Sequence, residues 1–123
     1  MENERNHLLD ILILINNLQR SVVNNIDNNN SCTKPILGPV DNLIYNTRPV
    51  SFYLCNGQEL SIEGDNDIAS VVFRVENVNN SCVTVRLLNI DEQNNITSTN
   101  EFATINIDCI AALRCLSDVS LIL

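Results

Sequence analysis

From Val50 onward the apolar residues of this chain recur at every second position: Val50, Phe52 and Leu54, then Val71, Phe73 and Val75, then Val83, Val85 and Leu87. A period of two is the repeat of a pleated strand with one face buried. These side chains can therefore leave water together only as one face of a sheet. The alternating runs are punctuated by Asn56-Gly57 and Asn79-Asn80-Ser81, residue types that tolerate left-handed backbone and close hairpins. Aromatics make up 4% of the chain and Trp is absent. The core must then be built mainly from Ile, Leu and Val, whose branched side chains suit a pleated surface.

The hairpin registers follow from matching apolar to apolar. A two-residue Asn56-Gly57 loop would set Leu54 against Glu59 and Phe52 against Ser61, whereas a three-residue loop pairs Leu54 with Leu60 and Phe52 with Ile62. The three-residue loop is expected. In the second hairpin a three-residue loop over Asn79 to Ser81 pairs Val75 with Val85. It also sets Arg74 opposite Arg86, which is unfavourable unless Glu76 or another chain's carboxylate lies between them. Asp91 to Asn100 reads as a polar loop. After it, Ile105, Ile107, Cys109, Ala111, Leu113 and Cys115 share one face of a last long, bent strand, with a helix over Cys109 to Leu116 as the competing reading.

Before Val50 the period is helical. Leu8, Ile11, Leu12, Ile15, Leu18 and Val22 fall on one stripe, which predicts a helix over 7–23 with Asn6 as its N-cap. Leu9, Ile13 and Leu14 lie off that stripe, so the helix is apolar over more of its circumference than one buried face needs. These three are the candidate assembly contacts, set against the simpler reading of a deeply buried helix. Residues 24–49 form a linker and an irregular segment, with Ile26 to Ser31 polar and Pro35, Gly38 and Pro39 punctuating the passage to the sheet. A length of 123 residues fits a single domain over 1–123, with its β part at 50–123. The expected fold is mainly β: an antiparallel β-sandwich or flattened barrel with one N-terminal α-helix.

Charge and motifs narrow the function by exclusion. The net charge is −8, which repels phosphate backbones and anionic lipid surfaces, so no nucleic-acid partner is expected. The apolar runs fall far short of the roughly 20 residues a bilayer span requires, so no membrane insertion is expected. The start, with two Glu and one Asp before Ile11, does not resemble a secretory signal. There is no Gly-rich phosphate loop, no nucleophile elbow and no metal-type Cys-x-x-Cys. His7 is the only histidine, and Asp65-Asn66-Asp67 lacks the later positions of a calcium loop. The chain reads as a non-enzyme without metal or cofactor.

The cysteines are the remaining chemical resource. Cys32, Cys55, Cys82, Cys109 and Cys115 are the candidates for disulfides or cross-links, the alternative at each being a reduced, buried small hydrophobe. Within one regular element Cys109 and Cys115 cannot bond, since six residues span about 20 Å in a strand and a disulfide needs α-carbons within about 7 Å. An odd total leaves one thiol for an intermolecular partner on full oxidation.

Several stretches together resemble the spore coat protein Y and Z family, cysteine-rich proteins of the outer coat and exosporium of bacterial endospores. They are Asp10 to Gln19 (DILILINNLQ), Cys32 to Gly38 (CTKPILG), Asn46 to Pro49 (NTRP), Val72 to Asn77 (VFRVEN), Ser81 to Leu88 (SCVTVRLL) and Thr104 to Val119 (TINIDCIAALRCLSDV). By position Cys32, Cys82, Cys109 and Cys115 look like family cysteines, and Cys55 looks like an addition. Phe102 and Ala111 stand where the family often has Cys.

The resemblance implies a structural protein that self-assembles into ordered arrays on the spore surface, cross-linked by disulfides. Its partners would be itself, as a homo-oligomeric lattice or filament, and related coat or exosporium proteins. It would be made in the mother-cell cytoplasm and oxidised after that cell lyses. Cys32 and Cys115 are expected to be the intermolecular linkers. The alternative functions are a small ligand- or protein-binding module on the spore surface and, less simply, a cysteine-dependent redox enzyme, which would need one fast-reacting thiol.

Overall fold

In the computed structural model, residues 2–20, 45–65 and 67–123 are described, with backbone alone at 2–6. Helix α1 spans Glu2–Arg20, β1 Val50–Leu54, β2 Ile62–Glu63, β3 Ala69–Ser70, β4 Val72–Val78, β5 Cys82–Ile90 and β6 Ile96–Asn106; a 3-10 turn at Ile107–Cys109 leads into β7, Ile110–Cys115. Val22, the Ile26 to Ser31 linker and the passage through Pro35, Gly38 and Pro39 lie outside the described residues. The helix starts five residues before the expected His7, so Asn6 stands inside it and is not its N-cap.

Five strands form one antiparallel sheet in the order β6-β5-β4-β1-β7, and β2 pairs with β3 in a small second ladder. A flat sheet of five would hold its outer strands about 19 Å apart. The outer strands here, β6 and β7, are separated in sequence only by a 3-10 turn, which advances about 6 Å. The sheet must therefore coil until its two edges approach at that corner. β6 and β7 share no ladder, so the coil is a sandwich-like layer rather than a closed barrel.

One face of the coil holds the main core. Val50 and Phe52 of β1, Phe73 and Val75 of β4, Val83, Val85 and Leu87 of β5, and Ile105, Ile107 and Ile110 around the corner pack under Leu12 and Ile15 of α1. Phe52 and Phe73 stack with ring centroids 5.8 Å apart. The helical stripe is the one expected: Leu12, Ile15 and Leu18 are buried. The sequence reading missed Gln19 of that helix, which is 5% exposed. Its amide donates to the Val75 carbonyl at 2.7 Å and accepts from the Arg48 backbone at 3.0 Å, pinning α1 to the sheet at a fixed height.

The opposite face carries a smaller cluster of Val72, Leu88 and Leu121. There the NTRP stretch straps the end of the chain to the sheet. Asn46 donates to and accepts from the Leu121 backbone at 2.9 and 3.0 Å, so its side chain imitates a strand partner. Thr47 bridges Val119, Arg48 grips the Asp118 carboxylate at 2.9 and 3.2 Å, and the Pro49 carbonyl accepts from Leu116.

The hairpins test the registers. In the second, Val75 faces Val85 and Arg74 faces Arg86 as expected, with Glu76 between the arginines, but the expected three-residue loop does not form: Asn79 N–H donates to the Cys82 carbonyl and Val78 faces Val83 rather than Cys82. One carboxylate oxygen of Glu76 accepts from Arg74 at 2.7 Å and from Arg86 at 3.0 Å. A bulge at Glu76 shifts the register after Val75, which frees this residue from the ladder.

The first hairpin differs from expectation. Its loop is Cys55 to Gly57, one residue earlier, with Leu54 donating to Gln58 and Leu60 to Phe52, and Tyr53 bridging Glu59. The expected pairs Leu54–Leu60 and Phe52–Ile62 do not form. Gly57 explains the shift: at φ 87° it occupies the left-handed third position of a three-residue loop, which a glycine fills at no steric cost. The chain then leaves β1, and Ile62 pairs with Ser70 instead.

Two further expectations are corrected. The polar loop is only Asp91 to Asn95, where the Asp91 carboxylate caps the Gln93 and Asn95 backbone. Thr97 and Thr99, β-branched, extend β6 back to Ile96. The last strand is bent rather than helical, but its apolar phase slips at the corner and again where β7 takes an extra residue against Tyr53 and Leu54. Ile105, Ile107 and Ile110 are buried while Cys109 and Ala111 are exposed.

The Glu76 clamp predicts that Glu76→Gln, which keeps the size and removes the charge, lowers stability to urea by about 1–3 kcal/mol. Salt at about 1 M should recover part of the loss by screening Arg74 from Arg86. An unchanged unfolding midpoint would show that the carboxylate is not what holds this register.

Candidate assembly surface

The three off-stripe helix residues separate on folding. Leu9 packs half-buried against the main core, Leu14 is half-buried outside it, and Ile13 is 40% exposed. Ile13 is thus the residue of the three that α1 presents to solvent. The sequence reading missed Phe102, on β6, which is 51% exposed with the Arg86 guanidinium 4.6 Å from its ring centroid. A signal was present, since Phe102 stands on the opposite phase of its strand from buried Ile105.

β6 itself is an outer strand of eleven residues, ITSTNEFATIN, containing no Lys, Arg or Pro and one charge, Glu101. Among the described residues no strand pairs with its outer side. Sheet edges are usually blunted by such residues because unpaired N–H and C=O groups template another strand. The blunting device on β6 is an irregularity opposite Leu87, where Thr99 turns its hydroxyl onto the Leu87 carbonyl. From Phe102 to Asn106 the ladder with β5 runs without interruption.

The thiols divide into two groups. Cys115 on β7 is disulfide-bonded; Cys32, the other expected intermolecular linker, lies outside the described residues. Cys55, Cys82 and Cys109 are free. All three collect around the corner between β6 and β7. The Cys55 N–H donates to the Cys109 carbonyl at 3.1 Å, and its Sγ lies 3.5 Å from the Asp108 carbonyl. On the other side of the corner, Ile107 N–H donates to the Ser81 carbonyl at 2.9 Å and Cys82 faces Asn106. Cys55 and Cys109 are exposed and Cys82 is half-buried.

A cleft of about 550 Å³ opens on the sheet face opposite α1, lined by Ser51, Glu59, Val72, Ile90, Ile96 and Arg114 among others. The Ser51 hydroxyl in its wall is buried without a hydrogen-bond partner among the described residues. His7 is exposed on α1. No group of three His, Cys, Asp or Glu among the described residues could hold a metal ion, and no described helix is long and apolar enough to cross a membrane.

This arrangement orders thiol reactivity by access. Alkylation of the native chain should modify Cys55 and Cys109 before Cys82, and Cys115 only after reduction, as peptide mapping by mass spectrometry would read. Prompt labelling of Cys115 without reductant would contradict its bonded state.

No curated protein and no solved structure matches the chain significantly. The model of one protein family, described as spore coat protein Z, matches residues 1–101, a span that contains α1, the NTRP strap and the sheet through most of β6. The chain therefore belongs to the spore coat protein Z family, whose place is the surface coat of the spore.

Proposed function

We propose that this chain is a self-assembling structural subunit of the spore surface, in the outer coat, crust or exosporium, forming an ordered array or filament that disulfides stabilise. The observation that carries this reading is the outer edge of β6, long, almost uncharged and unpaired among the described residues. β7 bounds the other side of the same sheet. An edge contact from β6 of one copy to β7 of the next is heterologous, and such contacts propagate when the rotation does not close a ring. Ile13 on α1 adds an apolar contact away from the edge.

Packing comes first in this reading, while the protein is in the reducing mother-cell cytoplasm. Oxidation follows on lysis and fixes the contacts, through the free thiols near the corner. The partners are other copies of the chain and related coat proteins, and the role requires no catalysis.

A second reading, a binding module, is favoured by the cleft with its unsatisfied Ser51 hydroxyl. Size-exclusion chromatography under mild reduction separates the two, because a binder runs as a stable monomer and an assembler as large particles. Electron microscopy of the purified chain should show sheets or filaments, with Phe102→Lys and Ile13→Glu each shifting the population to single chains while the fold persists by circular dichroism. Isolated chains at high concentration with and without oxidation would overturn the assembly reading.

A further inference from the structure

We propose that Cys55 and Cys109 form a disulfide with each other within one chain, leaving Cys82 as the thiol that reaches a neighbour. The register carries this. Leu54 and Ile110 are the last ladder pair of β1 and β7, and the next residue beyond each strand end is a cysteine, Cys55 in the turn after β1 and Cys109 in the 3-10 turn before β7. Their backbones are joined at that step by the 3.1 Å bond from Cys55 N–H to the Cys109 carbonyl. Residues that continue an antiparallel pair by one step have α-carbons about 4.5–5.5 Å apart. That separation lies within the range a disulfide spans, about 4.4–6.8 Å.

Both backbones are held in place without the bond. The Cys55 turn is closed by Gly57 N–H on the Leu54 carbonyl and Leu54 N–H on the Gln58 carbonyl. The Cys109 turn is capped by the Asn106 side chain on Asp108 N–H at 3.0 Å and tied by Ile107 to Ser81. Opposed side chains project from the same face, and both are exposed, so the sulfurs can meet by rotation alone without disturbing the core. Cys82 has Asn106, not a cysteine, across its ladder. Cys115 is already bonded. Pairing Cys55 with Cys109 thus leaves Cys82 as the odd thiol of the described residues.

The oxidant is a low-molecular-weight disulfide. One thiolate of the pair attacks it, forming a mixed disulfide and releasing one small thiolate. The second thiolate then attacks the protein sulfur of that mixed disulfide and releases the other. Two cysteine thiols lose two protons and two electrons, one sulfur–sulfur bond forms, and the small disulfide is reduced to two thiols. Neighbouring geometry makes the second step intramolecular, so it outruns attack by another chain.

The pairing does not depend on assembly and is tested on the monomer. The full-length chain, isolated as monomer by size exclusion, is treated with oxidised glutathione, alkylated and digested without reduction. Asp-N and trypsin together cut before Asp41 and after Arg74, Arg86 and Arg114, and so place Cys32, Cys55, Cys82, Cys109 and Cys115 on different peptides. The expected result is a Cys55–Cys109 linked peptide from monomeric protein, with Cys82 alkylated or glutathionylated. Cys109→Ser should then leave Cys55 as a persistent glutathione adduct. Stable glutathione adducts on both Cys55 and Cys109 in the unmutated chain would overturn the proposal. So would linked peptides that appear as isotopic hybrids when labelled and unlabelled chains are mixed. Assembly is read separately by microscopy, so either reading can fail alone.

Discussion

Because only Ile107–Cys109 separates β6 from β7, the two outer strands are tied by a link much shorter than the sheet is wide, and the sheet has to coil. Ile107, 1% exposed, plugs the core at that link while its N–H is satisfied by the Ser81 carbonyl. The coil in turn creates a concave side deep enough to take α1, and Leu12 and Ile15 complete the core there. The same corner brings Cys55, Cys82 and Cys109, distant in sequence, to one end of the domain. Core closure and thiol placement are two results of one short connection.

Around this apolar frame the buried polar groups fix the position of neighbouring segments. Gln19 sets the height of α1, Asn46 and Thr47 hold the last residues, and Arg48 with Asp118 is a pair with side chains only 3% and 6% exposed. Such a pair adds little net stability over apolar packing, but losing one partner leaves an uncompensated buried charge, so the arrangement tolerates few alternatives.

Much of the architecture could be read from local pattern. The period-two runs gave β4 and β5 with the Val75–Val85 register, and the Glu76 carboxylate between Arg74 and Arg86 followed from charge alone once that register was set. The stripe of Leu12, Ile15 and Leu18 gave the buried face of α1. What failed were features that depend on a break in the period. The displaced first hairpin turned on the left-handed Gly57, and the slip that exposes Cys109 turned on a 3-10 turn and an extra residue in β7. A bulge or a helical turn moves side chains between faces without any change in composition to announce it.

The candidate surface divides the same way. That this chain is β-rich, acidic, free of catalytic motifs and kin to spore coat proteins follows from the order of its residues, because periodicity, charge and motif spacing are local properties of the chain. Which cysteines stand together is not local: Cys55 faces Cys109 because β7 returns to lie beside β1 instead of beside β6, a pairing set by the total burial of the core. Only the folded sheet decides that three thiols share one end, that Ile13 and not Leu9 meets solvent, and that β6 is left as an edge among the described residues, since each depends on which distant strand occupies the neighbouring place.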